Sequence, residues 1–246
     1  NAALAQGAID GVLNEEGLSR CDMVIVALYP KDTVEFVKQN APFFKKGAIV
    51  TDCCGVKSFV YSNLKTVAEG GRFTFVGAHP MAGIEKGGFE NSSPEMFKNT
   101  TLIVTPYEDT PREALERIWR VASRLGFTKF QITTPERHDE MIAYTSQLCH
   151  LASCAYIGSQ LAARCDGFAA SSFRDMTRVS GLNENMWAEL FLENSEYLLK
   201  ETEEFIQRLQ ELAELVRLRD LQGLRMMLRK SREAKEALDA MVEERK

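Results

Sequence analysis

The stretch Asp22-Met23-Val24-Ile25-Val26-Ala27-Leu28-Tyr29-Pro30 decides the fold class of this chain. Its apolar run is of strand length and lacks the alternation of a strand with one wet face, so it reads as a parallel strand covered on both sides. Tyr29-Pro30 ends it, and Lys31 to Asn40 follows as a helix with Val34 and Val37 inward. The unit then repeats. Gly47 to Asp52 is a strand, Cys53-Cys54-Gly55-Val56-Lys57 a tight loop, and Ser58 to Ala68 a helix capped by Ser58. Phe73-Thr74-Phe75-Val76 is the next strand, which Gly77, Pro80 and Gly83 break into a loop carrying His79 and Glu85. After a Gly- and Ser-rich connection come Thr101 to Thr105 as a strand, Pro111 to Leu125 as a helix and Lys129 to Ile132 as a last strand. Strands alternating with helices at this spacing imply an α/β domain with a parallel sheet and right-handed crossovers.

From Thr134 the hydrophobic period changes to that of a helix. Thr134 is a good N-cap with Pro135 at the first helical position, and no proline interrupts the chain from there to Arg164. Small and apolar residues from Ala143 to Ala162 cover more than one face, which fits a central helix of an all-α domain. A shorter helix lies around Met186 to Asn194, and two long amphipathic helices, roughly Ser195 to Arg219 and Leu221 to Glu244, follow. The expected division is therefore residues 1–134 as an α/β domain and 135–246 as a helical one.

Composition narrows the function classes. The 246 residues carry a net charge of -5 with 30 basic and 35 acidic side chains spread along the chain, so no basic field holds a phosphate backbone and nucleic acid is not an expected partner. No apolar run reaches the roughly 20 residues needed to span a bilayer, and the expectation is a cytoplasmic protein without membrane contact. Six cysteines without Cys-x-x-Cys spacing read as reduced, mostly buried thiols, and no metal site is expected.

Ligands of open α/β sheets lie outside the carboxyl ends of the strands. Three such ends are visible: Leu28-Tyr29-Pro30, Asp52-Cys53-Cys54-Gly55 and Gly77-Ala78-His79. Leu28, Tyr29, Pro30, Asp52 and Cys54 are thus candidates for holding a dinucleotide. The Gly-x-Gly-x-x-Gly loop that cradles a pyrophosphate does not occur in the chain, and is expected upstream of Asn1 together with the first strands. An α/β domain that binds no nucleotide is the alternative. At about 100° per residue Asp139, Ser146 and His150 project from nearly one helix face, with His138 a quarter-turn away. That face could be a polar wall of a cleft, but taken alone it reads first as an ordinary exposed surface or a satisfied core histidine. Arg174, Asp175 and Arg178 offer either a fork for a carboxylate or a structural ion pair.

Taken together, these residues resemble the prephenate dehydrogenase family of tyrosine biosynthesis. The resemblance rests on His79-Pro80-Met81-Ala82-Gly83 with Glu85-Lys86-x-Gly88, Asp52-x-x-Gly55-Val56-Lys57, and Pro135-Glu136-x-His138-Asp139 with Ser146-Gln147-Leu148-Cys149-His150. It continues through Phe173-x-Asp175-x-Thr177-Arg178 and Met186-Trp187 to Phe191-Leu192-Glu193-Asn194. It implies a dinucleotide-binding domain, incomplete at its N-terminus, followed by a helical dimerisation domain. The implied reaction is oxidative decarboxylation of prephenate, with NAD as hydride acceptor, NADP as the alternative, and a homodimer as the assembly. His79 is then the proton acceptor, Arg178 the carboxylate-binding residue, Ser146 and His150 lining residues of the substrate pocket, and Glu85 a residue near its entrance. Gly55 stands where many relatives carry a serine that bonds the substrate hydroxyl, so Cys54, Ser58 or water would fill that role. An arogenate or dual-specificity dehydrogenase is the neighbouring possibility, and a dimeric binding protein on a degenerate dinucleotide fold the non-enzymatic one.

Overall fold

A computed structural model describes residues 2–84 and 87–243. The chain divides into two compact units, Asn1–Leu198 and Leu199–Lys246. In the first, two short helices, α1 (Ala2–Ala5) and α2 (Glu15–Leu18), precede strand β1 (Met23–Val26) and helix α3 (Pro30–Asn40). Then come β2 (Ala48–Asp52), α4 (Ser58–Glu69), β3 (Phe73–Pro80), β4 (Thr101–Pro106), α5 (Arg112–Arg124) and β5 (Lys129–Ile132). The five strands lie in sequence order in one sheet. Alternate residues face opposite ways: Ala48, Val50, Phe73 and Phe75 pack with Val34, Val37, Val60 and Leu64 of α3 and α4. Ile49, Val76 and Ala78 meet Ala114, Ile118 and Ala122 of α5 on the other side. β2 and β3 thus each supply two layers, as strands between helices do.

Three expectations need correction. β1 pairs in parallel with β2, yet it lies at the edge of the sheet and Ile25 is 50% exposed, so it is not covered on both faces. β2, buried at all five positions, is the strand that has that property. Secondly, the sheet is mixed: β4 runs antiparallel to β3, and β5 parallel to β4. Among the described residues the connection between β3 and β4 holds only the 3-10 turn Phe89–Asn91, and without a crossover helix the chain returns antiparallel beside the strand it has left. Thirdly, β3 does not stop at Val76. Gly77 to Pro80 pair with Leu102 to Thr105 of β4, so His79 sits inside a strand, opposite Ile103. Gly77 suits that strand because a Cβ there would collide with Thr105 Oγ1, and Pro80 comes where the strand ends.

The helical part starts as expected at Thr134, whose hydroxyl accepts the Arg137 N–H, with α6 (Pro135–Ile142). It is not one helix to Arg164. A π-helical turn, Ala143–Gln147, separates α6 from α7 (Leu148–Ile157), after which the chain holds only the 3-10 turn Ala162–Arg164 before the next helix. α8 (Ser171–Thr177) runs into the 3-10 turn Arg178–Ser180, and α9 (Glu184–Glu193) is capped by Asn183. α10 (Ser195–Arg217) begins in the first unit, and the second contains the rest of it and α11 (Leu221–Glu243). In that unit Asp220 caps α11 through Gly223 N at 2.9 Å. Leu209, Val216, Leu228 and Met241 there are at least half exposed. No helix among the described residues is long and apolar enough to cross a membrane.

Candidate active site

Asp52 ends β2 with its side chain fully buried, and its carboxylate is consumed inside the protein. It accepts the Cys54 N–H and the Ala78 N–H at 3.0 Å each, and it forms a buried ion pair with Lys57. Lys57 Nζ also donates to the Ala78 carbonyl at 2.6 Å. One buried pair therefore fixes the loop after β2 to the residue before His79. A buried carboxylate or ammonium is tolerated only when paired and further hydrogen-bonded, and both conditions are met here.

A second carboxylate organises the same loop from far along the chain. The expectation that Ser58 caps α4 is not met: Ser58 is the first helical residue, and its Oγ is buried with no hydrogen-bond partner among the described residues. The cap comes from Asp139 on α6, which accepts Lys57 N–H through Oδ1 and Ser58 N–H through Oδ2, both at 2.8 Å. Asp139 Oδ1 also meets His138 Nδ1 at 2.7 Å, and His138 Nε2 meets His79 Nδ1 at 2.9 Å. Asp139, His138 and His79 thus form a chain of hydrogen bonds from the start of α4 to β3.

His79 Nε2 makes no hydrogen bond among the described residues. It stands 3.8 Å from the position a Cβ would take on Gly55, and the Leu190 methyls stand 3.4 and 3.7 Å from that same position. Burial, with the neighbouring His138 and the Lys57 ammonium, holds the His79 imidazole well below its ordinary value of 6.5. Burial likewise lowers His138, against the pull of Asp139. Burial alone would raise the Asp139 carboxyl, but the bonds from His138, Ser58 and Lys57 hold it below the usual range. Both imidazoles are therefore neutral near pH 7, and the outer nitrogen of His79 is a base aimed at a small space.

Ser146 and His150 flank a separate contact. His150 Nδ1 bonds the Ser146 carbonyl at 2.8 Å, and its ring stacks on Trp187 of α9 at 3.8 Å between centroids. A π-helical turn lies between His138 and Ser146, so a uniform 100° rotation does not describe their relative phase; His138 meets His79 of β3, and Asp139 meets the start of α4. The neighbouring Gln147 donates to the Leu190 carbonyl at 3.0 Å and accepts from Asn194 Nδ2 at 2.7 Å, while Asn194 Nδ2 also reaches the Asp139 carbonyl at 3.0 Å. This buried amide pair connects the two halves of the constellation. Arg178 is exposed at the start of its turn, and two residues earlier the Met176 carbonyl accepts from Ser153 Oγ of α7 at 2.7 Å. Glu85 lies outside the described residues.

At the carboxyl end of β1, Leu28 and Tyr29 are 46% and 38% exposed, whereas Pro30 is buried at the start of α3. The N–H of Lys31 at that helix start is taken by Glu189 Oε1 at 2.6 Å, so α3 does not present a free phosphate site. Six cysteines are free, but only Cys54 is fully buried, fewer than expected. Burial and the Asp52 carboxylate push its thiol up to about 12 and that of Cys53 to about 11, which keeps both un-ionised.

The family model for the prephenate dehydrogenase nucleotide-binding domain matches residues 1–128, and that for the prephenate dehydrogenase dimerization domain matches residues 134–230. A prephenate dehydrogenase of Lactococcus lactis subsp. cremoris is 28% identical over 221 residues, covering 85% of this chain and 59% of the relative. A cyclohexadienyl dehydrogenase of Zymomonas mobilis is 28% identical over 201 residues, covering 79% of this chain and 68% of the relative. The crystal structure of prephenate dehydrogenase from Aquifex aeolicus in complex with hydroxyphenyl propionate and NAD+ superposes with a TM-score of 0.81 at 27% identity, covering 96% of this chain and 84% of that one. The chain spans somewhat under two thirds of the length of the Lactococcus relative.

Proposed function

This chain belongs to the prephenate dehydrogenase family, and we propose that the protein catalyses the oxidative decarboxylation of prephenate to 4-hydroxyphenylpyruvate with NAD. The observation that carries the proposal is the neutral His79 imidazole, whose Nε2 opens beside Gly55 and Leu190.

His79 accepts the proton of the ring hydroxyl through Nε2 while the hydride leaves the same ring carbon. It returns that proton to the oxygen once the ring has lost carbon dioxide and become aromatic, so no net proton is released. Arg178 holds a substrate carboxylate through its planar fork, and Ser146 and His150 line the pocket wall. Gly55 leaves room for the substrate hydroxyl or a water next to His79.

A bound nicotinamide dinucleotide supplies the hydride acceptor. The residues at the end of β1 fit such a group in kind: Leu28 and Tyr29 are apolar and exposed there, while Pro30 and Cys54 are buried, with Cys54 Sγ 3.6 Å from the Leu28 carbonyl oxygen. Asp52 serves through the loop it holds, because its oxygens are bonded internally. In this reading residues 1–134 are the dinucleotide-binding part, and 135–246 supply substrate contacts and the homodimer surface, for which the exposed leucines of α10 and α11 provide apolar area.

The Zymomonas relative favours a second reading, in which arogenate is also oxidised. One assay tests both: reduction of NAD, with NADP in parallel, by the full-length protein given prephenate, arogenate or neither. Turnover of prephenate is the expected result. Turnover of neither substrate overturns the proposal in favour of a binding protein on this fold.

A further inference from the structure

The reaction requires more of His79 than a neutral ring. A neutral imidazole carries one hydrogen, and only the tautomer with that hydrogen on Nδ1 leaves the outer Nε2 able to accept a proton. The hydrogen-bond chain behind His79 bears directly on this choice.

Asp139 can only accept, and its carboxylate already gathers the N–H groups of Lys57 and Ser58 at 2.8 Å each. The contact of 2.7 Å to His138 Nδ1 therefore requires a hydrogen on that nitrogen. In a neutral ring His138 Nε2 is then bare, and the contact of 2.9 Å to His79 requires the hydrogen to sit on His79 Nδ1. The opposite arrangement needs a cationic His138, which would donate from Nε2 and force the His79 hydrogen outward. Charged groups facing the pair are Asp139 on α6 and the Asp52–Lys57 ion pair at the end of β2. Both His138 and Asp139 have side chains with at most 1% exposure, so no water competes for these bonds.

We propose that His138 and Asp139 are positioning residues which, bonded in series, hold His79 in the tautomer that keeps its hydrogen on Nδ1 and offers Nε2 to the substrate. The inference deepens the dehydrogenase reading and rests on it for its kinetic consequence. When the hydroxyl proton arrives on Nε2, the O–H electron pair becomes the new carbonyl bond as the hydride departs to the nicotinamide. The imidazolium so formed keeps its Nδ1 hydrogen on His138, whose opposite nitrogen is tied to the Asp139 anion. The positive charge is thereby stabilised on the side away from the substrate.

Asp139→Asn is the decisive variant. An amide in place of the carboxylate can donate to His138 Nδ1, which places the His138 hydrogen on Nε2 and turns His79 outward-protonated. The protein labelled with 15N-histidine reports each ring nitrogen directly by its NMR shift, and these residues contain only three histidines. The expected wild-type spectrum has His79 protonated at Nδ1, and the expected variant spectrum has it protonated at Nε2. In turnover, Asp139→Asn should lower kcat about 100-fold or more with KM little changed. His138→Gln, which keeps an acceptor facing His79, should retain roughly tenfold more kcat than His138→Leu. A wild-type His79 protonated at Nε2 overturns the proposal, and this holds even if Asp139→Asn does not fold. An unaltered His79 tautomer in a folded Asp139→Asn protein also overturns it, as do equal kcat values for the two His138 variants. Should the spectra follow expectation while neither prephenate nor arogenate is oxidised, the tautomer assignment stands and the dehydrogenase reading falls.

Discussion

Lys57 Nζ donates to the Ala78 carbonyl oxygen at 2.6 Å, one residue before His79, while pairing with Asp52 in a space with no solvent exposure. The backbone that carries His79 is thus tied to β2 by a charged side chain rather than by strand pairing alone. Removing the ammonium would leave a buried, uncompensated carboxylate, and breaking such pairs from one side costs about 3–5 kcal/mol. Lys57→Met is expected to lose about that much in urea denaturation. The double variant Asp52→Asn/Lys57→Met should lose less than Lys57→Met alone, since it removes the stranded charge. Equal losses in the two would mean that Lys57 acts through packing.

The lowered affinities of His79 and His138 for protons give stability a definite pH dependence. An unfolded histidine takes up a proton near 6.5, whereas both imidazoles in the folded protein resist it, chiefly through burial. The unfolded state then binds more protons between the folded values and 6.5. Stability is fully present above about 6.5 and falls as pH drops through that window towards the folded values. Urea midpoints measured from pH 8 down to about pH 5 should therefore decline below about 6.5. The decline should be shallower in His79→Asn, and an identical slope would assign the acid sensitivity elsewhere.

Gly55→Ser tests the space in front of His79. The φ of Gly55 is not in the left-handed region, and an added Cβ meets Leu190 at 3.4 Å and His79 Nε2 at 3.8 Å, which are ordinary contact distances. The variant should fold with stability within about 0.5 kcal/mol of wild type. A hydroxyl there can bond the substrate oxygen, so kcat/KM should rise about fivefold, the worth of about 1 kcal/mol of hydrogen bonding. Lower kcat/KM at unchanged stability would show that the space is needed for a water or for the substrate itself.

Much of this architecture was legible because apolar runs of strand length separated by amphipathic helices leave few alternatives. Val34 and Val37 are buried as their spacing indicates. The reading failed where distant partners decided the outcome. Gly77 and Pro80 look like loop punctuation, yet β4 supplies the backbone partners that extend β3 through His79. Ser58 looks like a helix cap, yet Asp139 takes that place from 81 residues away. A uniform helix turns His138 a quarter-turn from the Ser146 face, and nothing local announces a π-helical turn. A signal was present in the adjacent His138-Asp139 pair, the residue types that orient an imidazole, although only the fold brings them to His79. Gln147 and Asn194, which join α6, the π-helical turn and α9, give no sign of their role, because buried amides are recognised by partners and not by spacing.

Arg178→Ala separates a binding role from a structural one. Arg178 opens an exposed 3-10 turn beside α7, and an ion pair at such a site contributes about 1 kcal/mol or less to stability. A bidentate bond to a substrate carboxylate is worth more, about 1.5–3 kcal/mol for a hydrogen bond to a charged group. The alanine variant should therefore raise KM for prephenate about 10- to 100-fold while its urea midpoint moves little. Arg178→Lys should recover only part of the loss, because an ammonium keeps the charge but not the planar fork. Unchanged KM with a large loss of stability would instead assign the guanidinium to a structural ion pair, with the nearby Asp175 as the first partner to test by a double-mutant cycle.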